Sequence, residues 1–172
     1  MLDGAMGTMV QALELQEEDV RGQRFKNHPV DLLNFVDVLC LTQPDAVTEI
    51  HSKYFEAGAD IVTTNTFGAS PVGVEEFQLD PETVHEINLA AVECARRAAD
   101  HYSKLTPDRP RFVAGSIGPT TKQTAISTDV EDPGFRSATF DQMADSYYEQ
   151  VKSMVEAGVD ILMPETVIDT LN

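Results

Sequence analysis

The chain has no tryptophan, only two cysteines, and 12 Lys+Arg against 29 Asp+Glu in 172 residues. The shortage of positive charge excludes a nucleic-acid grip by bulk electrostatics, because neutralising phosphates requires a surplus of Lys and Arg. An anionic membrane surface would repel a chain of net charge −17 for the same reason. Cys40 and Cys94 have no C-x-x-C spacing, and His28, His51, His85 and His101 form no H-E-x-x-H. Neither a closed metal site nor a disulfide framework can therefore be composed by motif. No apolar run approaches the ~18 residues of a membrane helix, and Met1-Leu2-Asp3-Gly4 lacks the basic-then-apolar layout of a secretory signal. The expectation is a cytoplasmic protein with neither a nucleic-acid nor a membrane partner.

What is present is a globular composition, 42% hydrophobic and 24% charged, enough apolar material for one domain with a core. The strongest internal signal is a near-repeat, E-A-G-A-D-I-V at 56–62 and E-A-G-V-D-I-L at 156–162. In each copy an amphipathic stretch runs into a glycine and then a short apolar run, the pattern of a helix, a Gly cap and a buried strand. The first of these helices is expected to open with Thr42 as N-cap and Pro44 in its first turn, with Val47, Ile50, Tyr54 and Ala57 as its stripe. The second opens at a T-x-x-Q capping box, Thr139 to Gln142, and carries Met143, Tyr147, Val151, Met154 and Val155 at helical spacing. Between them Asp80-Pro81 starts a longer helix that ends before Pro107-Asp108-Arg109-Pro110.

The start near Leu2, Asp37–Leu41, the run after Gly58, Arg111–Gly115 and the run after Gly158 make five candidate strands. Short apolar strands separated by helices predict parallel βα units. D-G-A-M-G-T after the first strand lacks the G-x-G-x-x-G of a dinucleotide binder, which favours a (β/α)8 barrel over a doubly wound sheet. A full barrel takes roughly 250 residues and eight strands. The fold class expected is therefore α/β, a partial (β/α)8 TIM barrel of about the first five strands, with residues 1–172 forming one domain cut after the fifth. The carboxyl ends of barrel strands carry active sites. Here they read Asp3-Gly4, Thr64-Asn65-Thr66, Gly115-Ser116 and Glu165-Thr166. With two carboxylates and no cation, that rim suits a ligand bearing a positive group such as an α-ammonium.

D-G-A-M-G-T-M (3–9), R-G-Q-R-F (21–25), L-T-Q-P (41–44), A-G-A-D-I-V-T-T-N-T-F (57–67), V-A-G-S-I-G-P-T (113–120), D-P-G-F-R (132–136) and P-E-T-V-I-D-T-L-N (164–172) occur in that order. Together they resemble the homocysteine-binding barrel of cobalamin-dependent methionine synthase over nearly the whole chain. The resemblance implies transfer of a methyl group from methylcobalamin to homocysteine, whose sulfur is held as a thiolate on zinc. It implies that Asp3 and Glu165 hold the ammonium of homocysteine, that Gly4 brings backbone close to it, and that Thr64, Asn65, Thr66 and Ser116 complete the substrate rim. It also places the zinc ligands beyond residue 172, and cobalamin and methyltetrahydrofolate on other modules of the same polypeptide. No catalytic and no metal-binding residue is then expected within the chain.

Two departures stand out: Thr63 replaces a usual Glu, and Asn34-Phe35-Val36-Asp37 replaces a Lys-Gly-Asn-Asn-Asp-like run. Two other readings stay open. One is a cobalamin-independent homocysteine methyltransferase using a sulfonium or betaine donor. The other is a non-catalytic half-barrel whose open edges bind a second half.

Overall fold

The computed structural model describes residues 1–169; Thr170, Leu171 and Asn172, the end of the last motif above, lie outside the described residues. Three parallel strands, β1 (Ile61–Thr63), β2 (Phe112–Ile117) and β3 (Ile161–Pro164), form a sheet in that order. Val62 pairs with Val113, and Gly115 with Leu162. Leu2 bridges Ile61 in parallel, and the Asp3 N–H donates to Ile61 O at 3.0 Å, so the amino end occupies the next strand position beside β1. The crossovers are helices: α4 (Pro44–Glu56) precedes β1, α5 (Pro81–Leu105) leads to β2, and α6 (Phe140–Glu156) leads to β3. Parallel strands require such crossovers, and their helices cover one face of the sheet. The arrangement is a partial TIM barrel.

The near-repeat has a common backbone cause. Gly58 and Gly158 follow α4 and α6 with φ of 105° and 83°, a left-handed region that glycine enters without a Cβ clash. Ala59 N–H then donates to Tyr54 O at 3.0 Å, and Val159 N–H to Met154 O at 3.2 Å, closing the helix ends. The starts also obey local chemistry. Asp80 Oδ1 accepts the Thr83 N–H at 2.8 Å, and Thr139 and Gln142 bond reciprocally, with Gln142 Oε1 taking the Thr139 N–H at 2.9 Å. Small side chains on α5, Ala95, Ala98 and Ala99, let it lie close to Val62 and Val113, and all five are buried.

One element differs from expectation. Asp37–Leu41 is not a strand: a 3-10 turn (Val36–Val38) runs into α3 (Leu39–Thr42). Asp37, Val38, Leu39 and Cys40 are all buried in succession. A run covered on every side carries no period, so strand and buried helix look alike in it. Thr42 ends α3 instead of capping α4, and its hydroxyl donates to Val38 O at 3.4 Å. Pro44 does stand in the first turn of α4, after Gln43. The stripe of α4 buries Val47, Ile50, His51 and Phe55, whereas Ala57 is exposed. On α6, Val155 is exposed and Ser146, Gln150 and Ser153 are buried.

Two short helices, α1 (Met6–Gln11) and α2 (Glu17–Arg21), pack through Val10 and Val20 into the core that contains Leu32, Phe35, Ile50 and Ile87. Arg21 ties this region together, pairing with Glu17 and donating to Val30 O at 2.9 Å. On the sheet, by contrast, Leu2, Phe112, Ile161 and Leu162 remain 39–47% exposed.

His51 is fully buried and neither ring nitrogen has a hydrogen-bond partner among the described residues. Burial holds its pKa down at about 4, from 6.5. The unfolded chain therefore takes up a proton on His51 below pH 6.5 that the folded chain refuses until about pH 4, and stability falls across that window as pH falls. The loss from this residue between pH 7 and pH 5 is about 2 kcal/mol. Urea unfolding at both pH values is expected to show that His51→Leu removes this increment; an identical pH dependence in both proteins would refute the assignment.

Candidate functional site

A cavity of about 570 Å³ opens at the carboxyl ends of the strands. Asp3 and Gly4 reach it from the amino end, Thr63, Thr64 and Asn65 from the end of β1, Ser116 from β2, and Glu165 from just beyond β3. Parallel strands place consecutive C-terminal ends side by side, which is how residues this far apart in sequence meet. Among its described lining residues are Asp3, Asp37, Glu76 and Glu165, and no Lys, Arg or His.

Asp3 is half-buried, and its Oδ2 accepts the Thr63 N–H at 2.8 Å; Thr63 Oγ1 lies 3.2 Å from Oδ1. Burial is the main cause that pushes its pKa up to about 6, opposed by the Thr63 bonds and assisted slightly by Glu165. The departure at position 63 thus has a local role, because a hydroxyl there can donate to Asp3 where a carboxylate could not. Gly4 packs on Tyr54: a Cβ there would lie 3.0 Å from Cε1 of the ring, whose hydroxyl donates to Ala5 O at 2.9 Å.

Behind the cavity wall the ends of β1 and β2 are cross-braced. Thr64 Oγ1 accepts the Ser116 N–H at 3.0 Å and shares a 2.7 Å bond with Thr66 Oγ1, which donates to Ser116 O at 2.8 Å. Gln150 on α6 donates to Thr66 O at 2.8 Å. Ser116 Oγ in turn donates to Glu165 Oε1, aiming that carboxylate, and the Glu165 N–H donates to Ile117 O at 3.0 Å. Asn65 Nδ2 donates to Val36 O at 2.8 Å, tying the β1 end to the 3-10 turn.

Six of the seven expected site residues, Asp3, Gly4, Thr64, Asn65, Ser116 and Glu165, line the cavity. Thr66 does not; it is completely buried in the brace, so a side-chain contact to a ligand is closed to it. Two acids that line the cavity, Asp37 and Glu76, are not among the residues expected from sequence. Asp37 is 4% exposed, lines the cavity, and accepts the Gly68 N–H at 2.9 Å on Oδ1. Burial pushes its pKa up to about 7. A lone carboxylate inside V-D-V-L-C-L was the available signal, since Asp is seldom fully buried without cause. Asp169, just beyond β3, accepts the Thr124 and Ala125 N–H groups at 2.9 Å and folds that loop against the sheet end.

No group of three His, Cys, Asp or Glu side chains among the described residues is arranged to hold a metal ion. Cys40 and Cys94 are buried, free thiols, Cys40 Sγ lying 3.7 Å from Asn65 O and Cys94 Sγ 3.5 Å from Pro44 O. They pack in the core that α3 and α5 share. Zinc therefore does not fit the described residues by themselves. No helix among them is long and apolar enough to cross a membrane.

Comparison with known proteins identifies the family and the fold. The homocysteine S-methyltransferase family profile matches residues 1–172. The homocysteine methyltransferase MmuM from Escherichia coli superposes in its metallated form with a TM-score of 0.74 at 25% identity, over 99% of this chain and 54% of that one. Its oxidized form gives 0.73 at 24% identity, over 99% and 53%. The chain spans about half the length of that protein. Because the profile runs from end to end and the parallel strands follow those of a solved homocysteine methyltransferase, this chain belongs to the homocysteine S-methyltransferase family.

Proposed function

We propose that this chain forms the ammonium-binding wall of a site that accepts homocysteine for S-methylation. The observation that carries the reading is the convergence of Asp3 and Glu165, from opposite ends of the described residues, on one cavity whose described lining residues include no Lys, Arg or His. In this reading the two carboxylates pair with the α-ammonium and the Gly4 backbone closes on the substrate. Asn65, Thr64 and Ser116 set polar contacts around it, and Thr66 holds the β1 and β2 ends in place behind them. Charge-assisted bonds to a fixed acid pair orient the amino acid so that its thiol points away from them.

The finer reading takes the donor as methylcobalamin on another module of a cytoplasmic polypeptide that also binds methyltetrahydrofolate. The motif series shared with the methionine synthase barrel supports it. Residues 1–172 are then the amino-terminal part of the barrel domain, and the zinc that keeps the substrate sulfur deprotonated takes its ligands outside the described residues. The chain alone is expected to bind no zinc and to transfer no methyl group; stoichiometric zinc in the purified chain would refute that placement. A second reading, a small sulfonium or betaine donor, is favoured by the same acidic cavity, which would attract a cationic donor as readily as an ammonium.

The direct test compares L-homocysteine with 4-mercaptobutyrate, which lacks only the ammonium, by calorimetric titration. Homocysteine is expected to bind at least 10-fold tighter, the worth of one charge-assisted bond. Equal affinities would overturn the assignment of the acid pair.

A further inference from the structure

Asp37 is the most deeply buried carboxyl at the cavity and is not explained by the brace or by the packing around it. Its Oδ1 is anchored by the Gly68 N–H, while Oδ2 has no hydrogen-bond partner among the described residues. Among the described residues no cation is paired with it: Arg21 at the end of α2 is paired with Glu17, and the cavity lining has no Lys, Arg or His. Val20 of α2 and Val84 and Ile87 of α5 face the same core, Cys40 of α3 contributes a thiol, and the cavity side presents Asp3, Glu76 and Glu165. A carboxyl taken out of water without a positive partner is costly, and such a cost persists where a ligand makes use of the group. The backbone is specifically shaped to deliver it. The 3-10 turn replaces a simple apolar run, Asn65 holds Val36 O, and Gly68 keeps the loop close, since a Cβ there would sit 3.3 Å from the Phe35 ring and 3.8 Å from Asp37 Oδ2.

We propose that Asp37 is a third cation-facing carboxyl of this cavity, which grips an ammonium-bearing ligand in its ionised form and gives up a proton to solvent when that ligand binds. This rests on the proposed function in that the ligand class is the amino acid assigned there. It extends that reading by assigning a further affinity-determining residue and a proton stoichiometry. The balance is simple: the neutral carboxyl loses H⁺ to buffer, the ligand keeps its ammonium proton, and the pair formed is carboxylate to ammonium. With Asp37 tending to hold its proton up to about pH 7 in the empty cavity, affinity is expected to rise as pH increases from 6 to 8.

Calorimetric titration of the chain with L-homocysteine in phosphate and in Tris, buffers of different ionisation enthalpy, counts the protons released. Wild type is expected to release a substantial fraction of a proton near pH 7. Asp37→Asn, whose amide oxygen can still accept the Gly68 N–H, is expected to bind about 10-fold more weakly at pH 8, to converge with wild type at pH 6, and to release fewer protons. A purely structural Asp37 would leave the pH dependence and the proton count unchanged in the variant, and that result overturns the inference while leaving the acid pair standing. Failure of wild type to bind homocysteine at all overturns both. Should Asp37→Asn not fold, Asp3→Asn decides: proton release persisting without Asp3 supports Asp37, and its disappearance refutes it.

Discussion

Asparagine in place of Asp3 is expected to weaken homocysteine binding on the order of 30-fold at pH 7.5, with no change for 4-mercaptobutyrate. The substitution keeps an acceptor for the Thr63 N–H, which Asp3 takes at 2.8 Å, and removes only the charge that meets the ammonium. Its pH dependence has a definite sign. Burial raises the Asp3 pKa to about 6, so wild-type affinity drops as pH falls through 6 and the variant lacks that step. Stability moves the other way. The unfolded carboxyl ionises near 3.8 and the folded one near 6, so wild type loses stability as pH rises between those values and Asp3→Asn does not. A variant that binds both ligands as wild type does would remove Asp3 from the recognition of the ammonium.

Gly118→Ala is expected to destabilise the fold by about 2 to 3 kcal/mol, the cost of forcing atoms into a filled site. A Cβ at Gly118 would stand 2.5 Å from the Phe67 carbonyl oxygen and 2.8 Å from its ring, and the Gly118 N–H already donates to that same oxygen at 3.1 Å. Neither backbone can yield without opening the end of β1 against the end of β2, so the change also acts on the cavity. Gly7→Ala is the matched control. It lies in α1 with nothing within 4 Å of its Cβ position and should be neutral or stabilising by about 0.5 kcal/mol. Urea midpoints of the two variants test the contrast; a loss below about 1 kcal/mol for Gly118→Ala would show that the contact relaxes.

Local rules made much of the fold legible. Asp80, the Thr139–Gln142 box, Pro44, Gly58 and Gly158 each act on backbone within a few residues, and each marks a helix end in the structure. Legibility stopped where the cause lies elsewhere in the chain. Asp37–Leu41 folds as a 3-10 turn and helix, and because Asp37 to Cys40 are buried in succession its own pattern carries no period to show it. At the site, Asp3 and Glu165 were readable from their places in motifs after apolar runs. Thr66 carries the same kind of polar side chain as Thr64, yet its hydroxyl is taken up by Ser116 O and Thr64 Oγ1 and it does not line the cavity. Thr63 gained a meaning only once Asp3 was seen bonded to it across 60 residues of sequence.

The brace through Thr64, Thr66, Ser116 and Gln150 has a practical corollary. Its hydrogen bonds shape the pocket and at the same time join two strands and a helix, so the ligand's seat cannot loosen before the scaffold does. Anyone seeking to retune ligand preference by altering Thr64, Thr66 or Gln150, whose side chains make those bonds, would be trading against thermal endurance. The acids at the rim are the place where selectivity can be changed more freely.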